Sequence, residues 1–410
     1  MRKFLLISAT FLACTVVPLF GQQASQEKTL RAKARKLAQQ FIIVDTHIDV
    51  PYRLKEKFED ISKQTPDGNF DFVRAKQGGL NAPFMSIYIP AEYEKKGGGK
   101  QLADTLIEMV MKFTRDWPKQ FAMARSPQDV TGQFKRGVVS LCMGMENGTP
   151  IEHDLANVQY FYDRGIRYIT LAHALSNHIS DSSYDTTHVW RGLSFFGRRL
   201  VTEMNRVGIM VDISHVSDDA FYEVLNVTKT PVIASHSSCR FFTPGFERNM
   251  SDDMIKLLAR NGGVIQITFG SSFLREDYQK LEAKQEKEVM AYLKEHHLKF
   301  GDPDAETYLK SFRAGHPVTF ADVTDVANHI DHVVKLVGVD FVGIGSDFDG
   351  VGDSLPTGLK DVSQYPNLIY ELLKRGYSEK DIQMICGGNL LRVWTEVERR
   401  AKEIQAEKSM

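Results

Sequence analysis

The stretch Phe41-Ile42-Ile43-Val44-Asp45-Thr46-His47-Ile48-Asp49-Val50-Pro51 decides how the chain is read. Four apolar residues run straight into Asp45, His47 and Asp49, and a short continuous apolar run fits a strand covered on both faces, as in a parallel sheet. Side chains alternate along a strand, so Asp45, His47 and Asp49 share one side. Three groups that are costly to bury need a partner there. A metal ion supplies one; emergence into a solvated loop is the alternative that this stretch alone leaves open.

Seven more apolar runs of strand length follow, at 82–90, 138–146, 166–173, 209–215, 231–237, 262–270 and 341–350. Helical patterns fall at 27–40, 102–116, 194–207, 251–261 and 321–337, and Ser251 before Asp252 and Asp253 is a good helix start. Strands alternating with helices imply parallel pairing, and eight such units predict an α/β fold of the (β/α)8, TIM-barrel type. A doubly wound open sheet is the alternative. The connection from Gly270 to Thr319 is too long for a barrel loop. It predicts a helical insertion over 271–318, between the last two strands and on the face where barrel active sites lie. A lid, a dimer surface and a solvated decoration are its three readings.

At 410 residues, 42% hydrophobic and 25% charged, the composition is that of a soluble globular protein. A net charge of −1 argues against nucleic acid or a polybasic membrane surface as partner. Arg2 and Lys3, the apolar run 4–20 and then Gly21 read as a secretory signal peptide over 1–21. Export to the periplasm or the exterior is expected, with no stable membrane insertion once the signal is removed. A retained anchor is the rival reading, and a lipoprotein at Cys14 is disfavoured by the bulky Phe11. The rest reads as one domain over 22–400, with a charged tail at 401–410. Cys142, Cys239 and Cys386 are too few and too scattered for a disulfide scaffold.

Polar residues fall at the strand ends: Asp45, His47 and Asp49 on the first, then Glu146, His173, His215, His236, and Asp347 with Asp349 on the last. In a barrel these ends converge on one face. Imidazoles and carboxylates without a thiolate set suit zinc or a similar divalent ion in a hydrolytic site. There are more donors than one tetrahedral ion needs, and two ions bridged by a carboxylate would use them all. His329 and His332 read as surface residues on a helix, and Cys142 and Cys239 as small core residues.

Asp45-Thr46-His47-Ile48-Asp49, Gly144-Met145-Glu146-Asn147-Gly148, Leu171-Ala172-His173 and Asp212-Ile213-Ser214-His215-Val216-Ser217 are followed by Ser235-His236-Ser237-Ser238 and Arg248-Asn249. Gly345-Ser346-Asp347-Phe348-Asp349-Gly350 and Asn389-Leu390-Leu391-Arg392-Val393 complete the series. This ordered set resembles the renal (membrane) dipeptidase family, zinc dipeptidases of the metal-dependent amidohydrolase type. The resemblance implies two Zn²⁺ per subunit, one held by His47, Asp49 and Glu146 and the other by Glu146, His215 and His236. Asp45 would orient a ligand imidazole from behind. His173 would meet the substrate carbonyl and steady its oxyanion, Arg248 would hold the C-terminal carboxylate, and Asp347 would take the amine and shuttle the proton. The implied reaction is hydrolysis of dipeptides with free N- and C-termini by a hydroxide bridging the two zinc ions. A homodimer and tolerance of D-residues at the C-terminal position are further implications.

The chain departs from that pattern in four places. It lacks the apolar tail of the lipid-anchored animal members, it has too few cysteines for their disulfides, its 271–318 insertion is longer, and 176–189 differs. The competing readings are another amidohydrolase-type enzyme, an N-acyl-amino-acid deacylase or lactonase, and a non-catalytic exported binding protein.

Overall fold

The apolar runs become buried parallel strands in a computed structural model that describes residues 17–299 and 301–408. They are β1 (Ile43–Ile48), β2 (Leu80–Tyr88), β3 (Phe121–Met123), β4 (Val139–Glu146), β5 (Ile166–Thr170), β6 (Met210–Asp212), β7 (Ile233–Ser237), β8 (Val264–Ile267) and β9 (Val342–Ile344). Eight of them follow one another in the order β1-β2-β4-β5-β6-β7-β8-β9, and β3 pairs with β4 off that path. The fold is therefore the expected TIM-type barrel. The sequence reading missed β3 because three residues are too few to carry a periodic signal.

Helices close the connections where caps allow them to start. Ser194, Ser251 and Asp322 each accept a backbone N–H of the first turn, opening helices Phe195–Val207, Asp252–Arg260 and Val323–Val337. The helix Gly99–Asp116 covers β2 and β4 with a stripe that includes Leu102, Leu106, Val110 and Phe113.

The barrel closes unevenly at the β1–β9 seam. At the C-terminal end the Asp49 N–H donates to Phe348 O (2.8 Å) and the Asp347 N–H to His47 O (3.0 Å). Lower down the strands part, and a π-helical turn at Met384–Gly388 fills the gap. Gly387 lies so close to β1 that a Cβ there would stand 2.6 Å from Ile42 O. The helix that follows, Asn389–Lys408, pushes Leu390, Val393, Trp394 and Val397 into the barrel floor against Val44, Phe84, Met210, Ile233 and Val264. Residues 401–408 of the charged tail continue this helix. Ala401 is buried, and Gln405 Nε2 donates to Arg206 O (2.7 Å).

The 271–318 connection is helical as expected: Ser271–Leu274, Glu276–Glu295 and Pro303–Gly315. Its two long helices carry a small core of their own, Val289, Leu293, Ala305 and Leu309. Leu274 and Tyr278 are buried at its root, whereas Leu281 is exposed.

His329 is not the surface residue expected. It is wholly buried, its Nδ1 accepts the Cys239 N–H (3.0 Å) and its Nε2 meets Leu274 O (3.1 Å). Burial lowers its pKa to about 4, so it stays neutral as a tie between three segments. His332 is half-buried and pairs with Asp252 (2.7 Å). Cys142, Cys239 and Cys386 are buried free thiols. Residues 1–16, most of the expected signal peptide, lie outside the described residues. Among the described residues no helix is long and apolar enough to cross a membrane.

The seam is open to a direct test. Gly387→Ala should push the π-helical turn off β1 and cost about 1–3 kcal/mol, read as an earlier midpoint in urea unfolding. An unchanged midpoint would mean that Gly387 is not the wedge.

Candidate metal centre

Each strand end delivers one or two donors to the same point. β1 supplies His47 and, just past it, Asp49; β4 ends on Glu146; His173 and His215 follow β5 and β6; β7 carries His236; Asp347 follows β9. Glu146 stands at the middle. Its Oε1 lies 3.1 Å from His215 Nε2 and 3.4 Å from both His173 Nε2 and His236 Nε2. Its Oε2 lies 3.3 Å from His47 Nε2, which is itself 3.4 Å from Asp49 Oδ2. His215 Nε2 and His236 Nε2 are 2.8 Å apart.

These are the spacings of donors that share cations. Ligands 2.0–2.1 Å from a tetrahedral zinc ion stand roughly 3.3 Å from one another. Three triads, His47/Asp49/Glu146, Glu146/His173/His215 and His47/His236/Asp347, each gather their donor atoms within 4.8 Å. The first matches the expected ligand set of one ion. The second expected set, Glu146, His215 and His236, is drawn together by the pairwise distances above. His173 and Asp347, expected to face substrate, stand within the same donor range. Asp49 Oδ1 is buried without a hydrogen-bond partner, as a carboxylate awaiting a cation would be.

The electrostatics agree. Burial would raise Glu146, but His47 and His173 beside it, with hydrogen bonds from His215 and His236, hold its carboxyl well below the usual range. Burial, Arg248 and His173 push His215 well down, and burial, His47 and Arg248 do the same to His236, so both imidazoles are neutral and ready to donate a lone pair. His47 goes the other way. Burial lowers it, but the Tyr168 hydroxyl and the carboxylates of Glu146 and Asp49 raise it well above the histidine range. The field that holds a proton there would equally hold a metal cation. The residues therefore fit zinc by chemistry and by spacing.

Behind the donors lies a polar layer that sequence reasoning missed. Tyr168 of β5 places its hydroxyl 2.8 Å from His47 Nδ1. Asp212 of β6 accepts the Ser235 hydroxyl (2.6 Å) and the N–H groups of Ser214 (3.0 Å) and Ser235 (2.8 Å), and Ser235 Oγ in turn meets His236 Nδ1 (2.8 Å). Asp45 does not touch an imidazole, contrary to expectation. It accepts the backbone N–H groups of His47 (3.1 Å) and Ser346 (2.9 Å) and the Tyr365 hydroxyl, and so pins the ends of β1 and β9 together. The one signal for Asp212 was a charged residue inside an apolar run; Tyr168 and Ser235 gave none.

A cavity of about 740 Å³ opens above the cluster, lined among others by Tyr52, Tyr88, His173, Tyr184, Phe273 and Asp347. His173 is the most exposed of the clustered histidines, and burial, partly opposed by Glu146, lowers its pKa. Burial pushes the Asp347 carboxyl up to about 8, with Asp49 and Glu146 adding to the effect against His47. Arg248 is buried. Its guanidinium donates to Ser237 Oγ (2.8 Å) and His236 O (2.7 Å) and lies 3.1 Å from His215 Nε2, and among the described residues no carboxylate pairs with it. Asp349 turns away from the cluster to Arg53 Nε (3.1 Å) and Asn69, anchoring the loop after the first helix of the barrel.

Comparisons with known proteins agree with this geometry. The membrane dipeptidase family (peptidase family M19) matches residues 31–408. Dipeptidase 3 of Mus musculus is 32% identical over 379 residues, 90% of this chain and 67% of that protein. Dipeptidase 3 of Rattus norvegicus is 31% identical over 379 residues, covering 90% and 68%. The crystal structure of the probable dipeptidase PvdM from Pseudomonas aeruginosa superposes with a TM-score of 0.79 at 28% identity, covering 91% of this chain and 99% of that one. The barrel, its ordered strand-end donors and these matches together make the chain a member of the membrane dipeptidase family of metallopeptidases, and a hydrolase.

Proposed function

We propose that the protein cleaves the peptide bond of dipeptides whose amino and carboxyl ends are both free, with two zinc ions at the strand-end cluster. The observation that carries this reading is Arg248, a buried guanidinium with no acidic partner among the described residues, beside a cluster of imidazoles and carboxylates. A buried cation paired only with neutral acceptors is costly unless an anion joins it. A planar guanidinium matches a carboxylate in a two-pronged fork.

His47, Asp49 and Glu146 would hold one ion and Glu146, His215 and His236 the other; when bound, the ions supply Lewis acidity and a water activated near neutral pH. The chain's own residues do the rest. Arg248 takes the substrate's carboxylate and fixes its register. Asp347, which lines the cavity above the cluster, accepts the free amine and so measures the length of the substrate. His173, held neutral, donates to the carbonyl oxygen as negative charge grows on it. Asp347 would take the proton that the attacking water gives up and pass it to the leaving nitrogen. Its pKa is raised to about 8, chiefly by burial and by the nearby carboxylates of Asp49 and Glu146, which favours a carboxyl that can carry a proton. An N-acyl amino acid would satisfy Arg248 but offers no amine to Asp347, which makes deacylation the second reading.

Export and homodimer formation belong to the same proposal. The charged and apolar pattern of residues 2–21 supports export, and the resemblance to the family supports the dimer.

Three outcomes check the reading. Purified protein should contain zinc and hydrolyse unblocked dipeptides; chelation should abolish the activity and zinc should restore it, whereas turnover indifferent to chelation would refute the proposal. Glu146→Gln should lose at least 1,000-fold in kcat, on the order of 4 kcal/mol of transition-state stabilisation, together with bound metal. Arg248→Ala should raise KM for free dipeptides at least tenfold and leave carboxyl-blocked analogues unchanged; an equal effect on both substrate sets would remove Arg248 from carboxylate recognition.

A further inference from the structure

The imidazoles at the two ion positions are supported by different chemistry from inside the barrel. Asp212 has acceptor oxygens only, and the donors that reach it include the Ser235 hydroxyl at 2.6 Å. That hydroxyl has one hydrogen and spends it on Asp212. Its oxygen, 2.8 Å from His236 Nδ1, must then accept from an Nδ1–H. The relay thus fixes one tautomer of His236, with a bare lone pair on the Nε2 that faces Glu146. Asp212, Ser235 and His236 are all buried, so no water competes for these bonds.

His47 has a softer support. The Tyr168 hydroxyl at 2.8 Å from His47 Nδ1 can donate or accept, and among the described residues it makes no hydrogen bond to a carboxylate that would decide. Its position, however, is fixed. The Tyr168 ring lies over Gly144, where a Cβ would stand 1.9 Å from Tyr168 Cζ, and the ring packs against Phe84 and the barrel floor. His215 has no such support, because its Nδ1 is buried without a partner.

We propose that Tyr168 and the Asp212–Ser235 pair are positioning residues that set the metal affinities of the two ion positions separately, Tyr168 through His47 and Asp212–Ser235 through His236. The inference rests on the two-ion reading above. Partners of this kind change metal affinity by 10–100-fold when removed.

The test is a zinc titration of metal-stripped full-length protein against a chromophoric chelator, with the unfolding midpoint of each stripped variant as a fold control. Wild type should take up two ions; fewer than two would sink the two-ion reading itself. Tyr168→Phe should weaken one ion by 10–100-fold and leave the other at its wild-type affinity. Ser235→Ala should likewise weaken one ion, Ser235→Thr should restore it by returning the hydroxyl, and the double variant Tyr168→Phe/Ser235→Ala should weaken both. Two wild-type ions with unchanged affinities in either single variant, or both ions weakened equally by one substitution, would overturn the separate roles. Loss without rescue by threonine would overturn the relay.

Discussion

A single buried carboxylate facing four imidazoles is the constraint around which this molecule is built. Glu146 keeps one oxygen within 3.4 Å of the Nε2 atoms of His173, His215 and His236, and its other oxygen 3.3 Å from that of His47. Those histidines come from four different strand ends, spread from residue 47 to residue 236. Only an arrangement in which several strands end at one level brings them to a point, and the parallel register around the barrel supplies it. The fold can thus be read as a way of satisfying one acid. In return the acid stays ionised, because the surrounding histidines outweigh the desolvation that would protonate it.

The rim of the barrel accepts backbone strain to achieve this. Asn147, His215, Asp347 and Asp349 all sit at positive φ between 65° and 76°, a region sparsely populated by residues other than glycine. Asn, Asp and His tolerate it best, and these are the residue types found here. Each turn is tied down: Ser183 N–H donates to His215 O, Gly350 N–H to Asp347 O, and Asp349 exchanges bonds with Asn69. The strain lies where the chain must turn within a residue or two of a donor. Its cost of about 1–3 kcal/mol per residue is met by a framework that leaves the backbone no alternative.

The fold and the donors were legible in the sequence for a physical reason. A strand buried on both faces is a continuous apolar run, and a charged or imidazole group directly after it stands out. His47, Glu146, His215, His236 and Asp347 all have that signature, and the structure brings them together. Tyr168 and Ser235 lie inside their strands, where an aromatic or a small hydroxyl reads as ordinary core. Their role depends on which face of the strand they occupy and on what lies across the barrel, and neither is local information. His329 failed in the opposite sense. Helical spacing gave no hint that the loop after β7 and the short helix Ser271–Leu274 would cover it and satisfy both ring nitrogens. Asp45 was placed correctly next to the centre but in the wrong bond, because spacing along a strand cannot tell a side chain that holds a ring from one that holds the neighbouring strand's backbone.

Taken from floor to rim, the barrel interior changes from apolar to polar to ionic. Trp394, Val393 and Leu390 seal the bottom, Phe84 and Tyr168 form the next level, and Asp212, Ser235 and Thr46 form the one beneath the donors. Every member of that polar level has its hydrogen bonds inside the protein: Thr46 donates its hydroxyl to Ser235 O (2.5 Å), with Ile344 O 3.1 Å away, and Asp212 takes four donors. A buried polar layer is destabilising when any bond is missing, so it tolerates few arrangements of the strands. That intolerance is useful. The same bonds that make the layer permissible fix the depth and rotation of His47 and His236, and a hydrolytic centre needs its ligands held to within a fraction of an ångström. Stability and function draw on one set of contacts here, and Gly144 belongs to it as much as any charged residue. The space left by its missing side chain is where the Tyr168 ring sits, and the ring's hydroxyl is what His47 leans on.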